Sequence, residues 1–326
     1  MSQQLKLLSH YNKRFSKLKR DHKFGGAPHK PILLLSILHQ ISSGQIANNK
    51  IYITPELIST FKDFWSLLVT TPHTPNFALP FYHMQSEGFW HLIVKPGHHL
   101  AITKSHSIRS FSSLQAAIAW AEFDQDLYQL LQEDESRELL RMILLHTYFP
   151  AASDKLLMPI KTYLHQLEEE ILHEPATAYQ ARLISLQKQL SKEELEEETF
   201  VRDGTFKKVI ANIYSHTCAI SGLRVEATQN ISMIDGCHIK PWSISHDDTA
   251  TNGIALCPNL HRAFDRGLIT LDEDYQLVLS KHFIEPFSSP YNIRQFEGKQ
   301  VLLPNNTAWH PSQENLEHHR INTFIN

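Results

Sequence analysis

Two histidines and an asparagine in the C-terminal third of the chain, His238, Asn252 and His261, have the clearest capacity for chemistry. Imidazole has an ordinary pKa of about 6.5, so neutral histidine can take a proton from water or hold a cation near neutral pH. Hydrolysis of a phosphodiester needs both tasks, because a base must activate water and a divalent cation must offset charge on the phosphate. The three residues indicate a hydrolytic centre of this kind.

The sequence around these residues predicts the elements that must position them. His238 falls in a predicted strand, Asn252 in the loop that follows, and His261 in a short helix. The period-two runs LITL and QLVLS predict two further strands. This order predicts a ββα-metal unit. The chain has 21 histidines, so order and spacing, and not residue type, single out these two.

The motifs CHIKPW, NGIALC and NLHRAFDRG resemble the HNH nuclease family, in the branch where HxxPW, NG and LHxxFDxG recur. The resemblance extends from about Thr199 to Arg320. It implies that His238 is the general base and that His261 is a metal ligand. It also implies that Asn252 holds the loop and the base in position or approaches the metal. One divalent cation, Mg²⁺ or Mn²⁺, is the expected cofactor.

The residue before the base departs from the commoner HNH pattern. Many members have Asp or His there as a second metal ligand, whereas this chain has Cys237. A thiol is a poor ligand for Mg²⁺, which prefers oxygen. The second ligand is left open among Asp235, Asp248 and Asp265, or waters and phosphate oxygens, with Asp235 and Asp265 kept beside His261 as the candidate metal site.

The cysteines also bear on metal binding. Many HNH proteins hold a structural Zn²⁺ with two CxxC pairs, and here the corresponding positions pair Cys218 with Ser221 and Cys257 with Leu260. Two thiols are too few for a four-ligand zinc site, so no structural zinc is expected.

The N-terminal half contains strong helix signals. Pro31 suits a first helical turn and predicts a helix to about Ile41, and Thr54 is a predicted N-cap for the helix ELISTFKDFWSLL. The segments FYHMQ and FWHLIV around the turn SEG predict a β-hairpin. Helices then hairpin is the order of a winged-helix module. Further helices are predicted over residues 113–131 and 135–148.

Two of these segments, GGAPHKPILLLSIL and FALPFYHMQSEGFWHLIV, resemble the sulfur-binding domain found fused to HNH nucleases, which recognises phosphorothioate-modified DNA. The resemblance covers about residues 5–155. It implies the architecture of type IV restriction enzymes, which cut modified foreign DNA.

The resemblance also implies which residues contact DNA. Sulfur in place of a phosphate oxygen is larger, softer and less hydrated, so its site needs an apolar hollow inside a cationic rim. The residues carried over are a basic pair at the start of the first helix and a proline segment before the wing: His29, Lys30, Leu79, Pro80 and, less directly, His83. Lys104, in the polar stretch TKSH, is a separate candidate for a cationic contact with DNA. An aromatic residue commonly precedes the proline in the family, and Leu79 departs from that pattern. Packing and capping are the alternative explanation for these positions.

Length and composition predict two globular parts with a connector. The 326 residues divide into a recognition domain at 1–158, a helical connector at 159–198 and a nuclease domain at 199–326, all of the α+β class. The net charge is −3, but residues 1–30 contain eight Lys or Arg and one acid. Phosphate contacts are therefore expected near the N-terminus. No apolar run of membrane-spanning length occurs, and a cytoplasmic protein is expected.

These patterns predict a metal-dependent endonuclease that acts on double-stranded DNA, with phosphorothioate-modified DNA as its target. Two alternatives stay open: a nuclease directed to another DNA modification or to a plain sequence, and a DNA-binding regulator with an inactive nuclease fold. A homodimer is expected, because cutting a duplex with one active site per chain needs two chains or two successive events.

Overall fold

The computed structural model of the chain describes residues 3–98, 108, 110–151, 162–225, 232–286 and 291–326. The chain forms two compact units. One consists of Met1–His165 with Leu190–Val201, and the other of Gln166–Gln189 with Arg202–Asn326. The backbone therefore passes between the units three times.

Helices predominate in the described ranges, and the strands form two-stranded antiparallel sheets, β1 with β2, β3 with β4 and β5 with β6. Up to residue 148 the elements are α1 (Gln3–Phe15), α2 (His29–Ser42), α3 (Pro55–Leu68), α4 (Ala78–His83), β1 (Trp90–Val94), α5 (Phe111–Ala117), β2 (Ile118–Phe123), α6 (Gln125–Gln132) and α7 (Asp134–Tyr148). Three helices follow, α8 (Tyr163–His173), α9 (Ala176–Gln189) and α10 (Lys192–Ile213). The remaining elements are β3 (Asp235–His238), α11 (Trp242–Ser245), β4 (Gly253–Leu256), α12 (Pro258–Asp265), β5 (Ile269–Leu271), β6 (Leu277–Leu279) and α13 (Gln313–Asn322). The mixed α and β composition agrees with the prediction.

Helix α2 lies at the centre of the first unit and is buried on nearly every side, as a helix without a polar face must be. It begins two residues before Pro31, which stands in its first turn as predicted. The Thr54 side chain accepts a hydrogen bond from the N–H of Leu57 at 3.2 Å, so the predicted cap of α3 is confirmed. Local signals were sufficient for both helices.

The predicted hairpin between FYHMQ and FWHLIV is wrong. Residues 78–83 form α4, whose first N–H groups have side-chain acceptors. The Asn76 Oδ1 accepts from the N–H of Leu79 at 3.0 Å, and the buried Glu197 Oε1 accepts from those of Phe77 and Ala78 at 2.9 and 3.3 Å. These acceptors satisfy orphan groups of a helix start, which sequence periodicity does not reveal.

Strand β1 pairs instead with β2, with Trp90 opposite Phe123. The helix predicted over residues 113–131 is therefore wrong in its middle, where IAWAEF is extended. On its other side β2 is bridged by Ile51, because Ile51 and Ala121 exchange backbone hydrogen bonds at 2.8 and 2.9 Å. Pairing with two distant segments outweighs the helical preference of the alanines. The winged-helix description of this unit stays a prediction.

Two glycines let the β3–β4 hairpin pack closely on α10. A Cβ at Gly253 would lie 2.3 Å from the Cδ1 of Ile210, and one at Gly236 would lie 2.7 Å from the carbonyl oxygen of Lys207. The contact at Gly236 is with backbone, so that position requires glycine, whereas a side chain at Gly253 would force the Ile210 side chain to move. The C-terminal half of α10 thus forms the floor under the strand that carries His238.

The helical character predicted for residues 159–198 is confirmed where the structure describes it, with a break at Pro175. Helix α10 continues to Ile213, well past the predicted boundary at 198. The division into recognition domain, connector and nuclease domain stays a prediction. Within the described ranges, each helix is either too short or too polar to cross a membrane.

We expect Glu197 to make the stability of the first unit depend on pH. Burial raises the pKa of Glu197 from 4.5 to about 7. The folded state therefore holds this proton more tightly than the unfolded state, and the free energy of unfolding falls as pH rises from about 4.5 to 7. A shift of this size corresponds to roughly 3 kcal/mol. Glu197→Gln keeps an acceptor oxygen without the charge, and should remove this fall.

Thermal and urea unfolding of wild type and Glu197→Gln between about pH 5 and pH 8 test this expectation. The variant should match wild type near pH 5 and be more stable near pH 8. A smaller dependence should persist from Asp63, whose pKa burial raises to about 6. The half-exposed Glu193→Gln is the control. Equal losses of stability with rising pH in wild type and Glu197→Gln would contradict the assignment.

Candidate functional site

His238 ends strand β3, opposite Gly253 in β4. Its ring stacks on Phe206 of α10, with centroids 3.8 Å apart and planes 7° from parallel. Its Nε2 lies 2.9 Å from the Oδ1 of Asp248. The imidazole is therefore fixed in plane by an aromatic ring and in rotation by a carboxylate.

Asp248 is almost fully buried, and its other oxygen also has donors. The Oδ2 accepts from the hydroxyl of Tyr179 at 2.8 Å and from the indole Nε1 of Trp242 at 3.2 Å. Burial raises the pKa of Tyr179 well above its usual range, and the charge of Asp248 raises it further. Tyr179 therefore stays protonated and donates. The sequence left Asp248 open as a metal ligand, and in the structure hydrogen-bond donors surround its carboxylate.

Asn252 precedes strand β4 and is fully buried. Its Oδ1 accepts from the N–H of Lys240 at 2.9 Å, and its Nδ2 donates to the carbonyls of Lys240 at 3.0 Å and Asp247 at 2.9 Å. Three bonds occupy most of the capacity of this amide. Asn252 thus joins both ends of the loop that leaves β3 after His238.

His261 lies on α12 between two carboxylates. Its Nδ1 is 3.1 Å from the Oδ2 of Asp235, and its Nε2 is 3.3 Å from the Oδ2 of Asp265 one turn later. The imidazole and both carboxylates are partly exposed. The structure therefore brings together the three residues predicted for metal binding, although no preformed group of three or more His, Cys, Asp or Glu ligands occurs in the part of the chain that it describes.

His238 and His261 both line one cavity of about 290 Å³. Its walls also include Asp265 and the buried His319. The ring of His319 stacks on Phe264, and its nitrogens lie 2.9 Å from the Thr270 hydroxyl and 3.1 Å from the Phe264 carbonyl. Burial lowers the pKa of His319 to about 4, so it is a neutral wall residue.

Cys237, the residue that departs from the HNH pattern, is not among the residues that line this cavity. It is buried in the core of the second unit, and its thiol lies 3.4 Å from the carbonyl oxygen of Asp235. Burial raises the pKa of the Cys237 thiol well above its ordinary value. A buried, protonated thiol is a packing group and offers no thiolate to a cation.

Cys218 and Cys257 are free thiols that interact with each other. The hydrogen bond from Cys257 lowers the pKa of Cys218 to about 5. The Cys218 sulfur also accepts from the N–H of Ser221 at 3.5 Å. The remnants of the two CxxC pairs thus meet, with serine and leucine where two further thiols would stand.

A second cavity, of about 480 Å³, lies in the first unit and has largely apolar walls. It is lined by every described residue predicted to contact DNA: His29, Lys30, Leu79, Pro80 and His83. Lys104 lies outside the described residues. The cavity therefore brings together the start of α2 and the segment of α4, which are far apart in sequence.

Burial lowers the pKa of two histidines of this cavity, His29 and His83. The Nε2 of His29 lies 3.0 Å from the carbonyl oxygen of Thr74. The His29 ring contacts Trp65 edge-on, with ring centroids 4.7 Å apart. Besides burial, the charge of Lys30 lowers the pKa of His83. Near neutral pH these two rings offer polarisable walls without added charge, and the single N–H of His29 is already directed at Thr74.

The cations at the cavity differ from the predicted pair. Lys30 is buried and pairs with Glu87, while its Nζ also donates to the Ser86 hydroxyl at 2.9 Å. Its charge is therefore balanced within the protein. Lys19 and Arg20 also line the cavity, and within the described ranges neither has a carboxylate partner. The basic composition of residues 1–30 predicted phosphate contacts in this region, but it could not show that Lys19 and Arg20 would be the residues at the cavity.

Two family models match separate parts of the chain. A model described as an HNH endonuclease matches residues 218–272, and a model described as a ScoMcrA-like DNA sulfur-binding domain matches residues 9–162. A segment that matches a DNA sulfur-binding domain therefore precedes one that matches an HNH endonuclease domain, in the order that the motifs predicted. No curated protein matches this chain.

Two solved structures resemble parts of the chain. A modification-dependent TagI restriction endonuclease is 22% identical over 36% of this chain and 36% of its own length, with a TM-score of 0.26. The type IV phosphorothioation-dependent restriction endonuclease ScoMcrA is 12% identical over 78% of this chain and 94% of its own, with a TM-score of 0.31. This chain thus spans about a third of the TagI enzyme.

We expect the protein, purified without added metal, to contain much less than one zinc atom per chain, because Cys218 and Cys257 are too few ligands for a structural site. Mass-spectrometric metal analysis before and after mild chelation measures this. Cys218→Ser is the control and should contain as little zinc as wild type. One zinc per chain that resists chelation in wild type and is lost in Cys218→Ser would overturn the prediction.

Proposed function

We propose that this protein is a type IV restriction endonuclease that binds phosphorothioate-modified double-stranded DNA and hydrolyses its phosphodiester bonds. The observation that carries the proposal is the meeting of His29, Lys30, Leu79, Pro80 and His83 at one largely apolar cavity, within the sulfur-binding match. The HNH match supplies the cutting function.

The cavity suits a phosphorothioate better than an ordinary phosphate. A sulfur atom loses little hydration when it contacts an apolar surface such as Pro80 and Leu79, whereas a phosphate oxygen loses a strong hydrogen bond to water. Neutral His83 can donate to one of the remaining oxygens, whereas the single N–H of neutral His29 already faces the Thr74 carbonyl. Lys19 and Arg20 supply the positive charge that attracts any DNA backbone.

In the nuclease unit we assign His238 as the general base. A carboxylate only accepts hydrogen bonds, so the Nε2 that faces Asp248 carries the imidazole proton. Nδ1 then keeps its lone pair, and no hydrogen bond from a described residue occupies it. His238 can therefore take a proton from a water molecule in the cavity, and Asn252 holds the loop behind it.

The donors around His261 fit a divalent cation, Mg²⁺ or Mn²⁺. An imidazole between two carboxylates can give one nitrogen to a metal while the other donates to the remaining carboxylate, a common arrangement around metal-bound histidine. Asp235 and Asp265 provide the oxygens that these ions prefer. Such an ion, when bound, would stabilise negative charge on the phosphate. The hairpin and α12 then form a ββα-metal unit.

A homodimer belongs to the proposal, because one active site per chain cuts one strand at a time. The proposal also includes the division of the chain into a recognition domain, a helical connector and a nuclease domain. Sedimentation with and without duplex measures the dimer.

We expect His238→Ala to lower cleavage roughly 10² to 10⁴-fold, the usual cost of losing a general base, with DNA affinity near wild type. Cleavage of a phosphorothioate duplex with Mn²⁺ and binding without metal measure the two effects. His282→Ala, an exposed histidine of the same unit, is the matched control and should cut normally. Near-normal cutting by His238→Ala would remove the base assignment.

We expect Pro80→Asp to abolish the preference for modified DNA, because it places a hydrated carboxylate beside a phosphate. Binding to matched duplexes with and without phosphorothioate links is measured across salt concentrations around 0.15 M. In wild type the preference should persist as total affinity falls, since sulfur contact depends little on salt. Pro80→Ala, which adds no charge, should keep more of it.

Lys19→Ala is the control for charge. It should weaken binding to both duplexes and reduce the salt slope, because it removes a phosphate contact. Equal binding of the two duplexes by wild type would refute sulfur recognition and leave the nuclease assignment standing.

A further inference from the structure

We propose that Asp248 and Tyr179 are positioning residues that set the tautomer of the catalytic base, His238. This inference rests on the proposed role of His238 and extends it to a residue outside the matched nuclease segment. Tyr179 lies on α9, in the part of the chain that the sequence predicts to be a connector. The connector helix thus becomes part of the cutting machinery.

Hydrogen-bond donors surround the buried carboxyl group of Asp248. A carboxylate with almost no exposure is costly to ionise unless donors replace its lost water. Asp248 has three such donors: the imidazole of His238, the hydroxyl of Tyr179 and the indole of Trp242. The indole can only donate, and the tyrosine stays protonated. All three groups therefore direct a hydrogen at the oxygens of Asp248, which act as acceptors.

The direction of the Tyr179 proton follows from its neighbours. Arg202 donates from its Nη1 to the Tyr179 hydroxyl oxygen at 3.0 Å, and the same nitrogen lies 3.3 Å from the Oε2 of Glu170. A hydroxyl that accepts from arginine has its own hydrogen available for another acceptor. That acceptor is Asp248. The chain of bonds runs in one direction, from Arg202 through Tyr179 to Asp248.

This chain of bonds continues to the base, His238. With both donors on the Oδ2 of Asp248, its Oδ1 is left to accept the Nε2 proton of His238. Nδ1 is then the unprotonated nitrogen. Phe206 stacks on the ring and prevents it from leaving this plane. Before DNA binds, Nε2 is therefore the protonated nitrogen that donates to Asp248, and Nδ1 is the nitrogen that can accept a proton.

Asp248→Asn tests this arrangement with almost no change in shape. The amide oxygen must occupy the Oδ2 position, because Trp242 and Tyr179 both donate there. The amide NH₂ then faces the Nε2 of His238 and forces that nitrogen to accept. The proton moves to Nδ1, and the base loses the lone pair that it needs.

We expect Asp248→Asn to lower kcat roughly 10² to 10⁴-fold on a phosphorothioate duplex, with KM near wild type. Nitrogen-15 spectra of histidine-labelled protein should show the Nδ1 of His238 changing from pyridine-like to pyrrole-like, with the signal identified by its loss in His238→Ala. Tyr179→Phe removes one donor and leaves the Asp248 to His238 bond, so a smaller loss of about tenfold in kcat is expected.

Two matched controls separate positioning from folding. Asp272→Asn changes a carboxylate that accepts two turn N–H groups, and Tyr275→Phe removes a hydroxyl that donates to the carbonyl of Pro311. Both should cut normally. Melting temperatures of all variants show whether they fold. If Asp248→Asn does not fold, Tyr179→Phe decides the proposal. About tenfold lower kcat with a partial shift of the His238 Nδ1 signal towards the pyrrole-like value supports the positioning role, and wild-type kcat with an unchanged signal overturns it.

The outcomes distinguish the assignment of His238 as the base from the positioning role of Asp248. If His238→Ala cuts like wild type, the proposed base is wrong. If His238→Ala is inactive while Asp248→Asn keeps both wild-type kcat and the wild-type nitrogen spectrum, the base stands and the positioning role is overturned. Loss of kcat in Asp248→Asn with an unchanged tautomer also overturns it, because the effect would then be structural.

Discussion

The carboxylate of Asp248 is the constraint on which the nuclease unit depends. A carboxyl group buried this deeply needs hydrogen-bond partners, and each partner comes from a different part of the chain: α9, α11 and the end of β3. Satisfying one carboxylate therefore assembles segments that share no local sequence pattern. Asn252 holds the loop that contains α11 from its other side through backbone groups.

The two cavities differ in how they use charge. In the nuclease unit, His261 is paired with carboxylates on both sides, so the site is acidic and suited to a cation. In the first unit, burial keeps His29 and His83 neutral, and the charge of Lys30 is balanced by Glu87. A largely apolar cavity discriminates by the softness of the bound atom, whereas an acidic site discriminates by charge.

Features specified by neighbouring residues could be predicted from the sequence. Thr54 caps its helix through a residue three positions later, and His238 and His261 stand in motifs with fixed local spacing. Features that depend on distant partners could not. Strand β2 is extended because β1 and Ile51 pair with it, and Tyr179 looks like an ordinary core residue of an amphipathic helix until its hydroxyl is seen on Asp248. The balance of charge at Lys30 depends likewise on a distant glutamate.

The three crossings of the backbone between the units restrict how this protein can be taken apart. Leu190–Val201 belongs with the N-terminal unit, while Gln166–Gln189, which precedes it, belongs with the nuclease. No single break in the chain yields both units whole. A truncation after residue 165 leaves α4 without the Glu197 carboxylate at its first N–H groups, and one that starts at residue 202 leaves Asp248 without Tyr179. To exchange the first unit for that of a related protein, Met1–His165 and Leu190–Val201 must be replaced together, because both stretches belong to it.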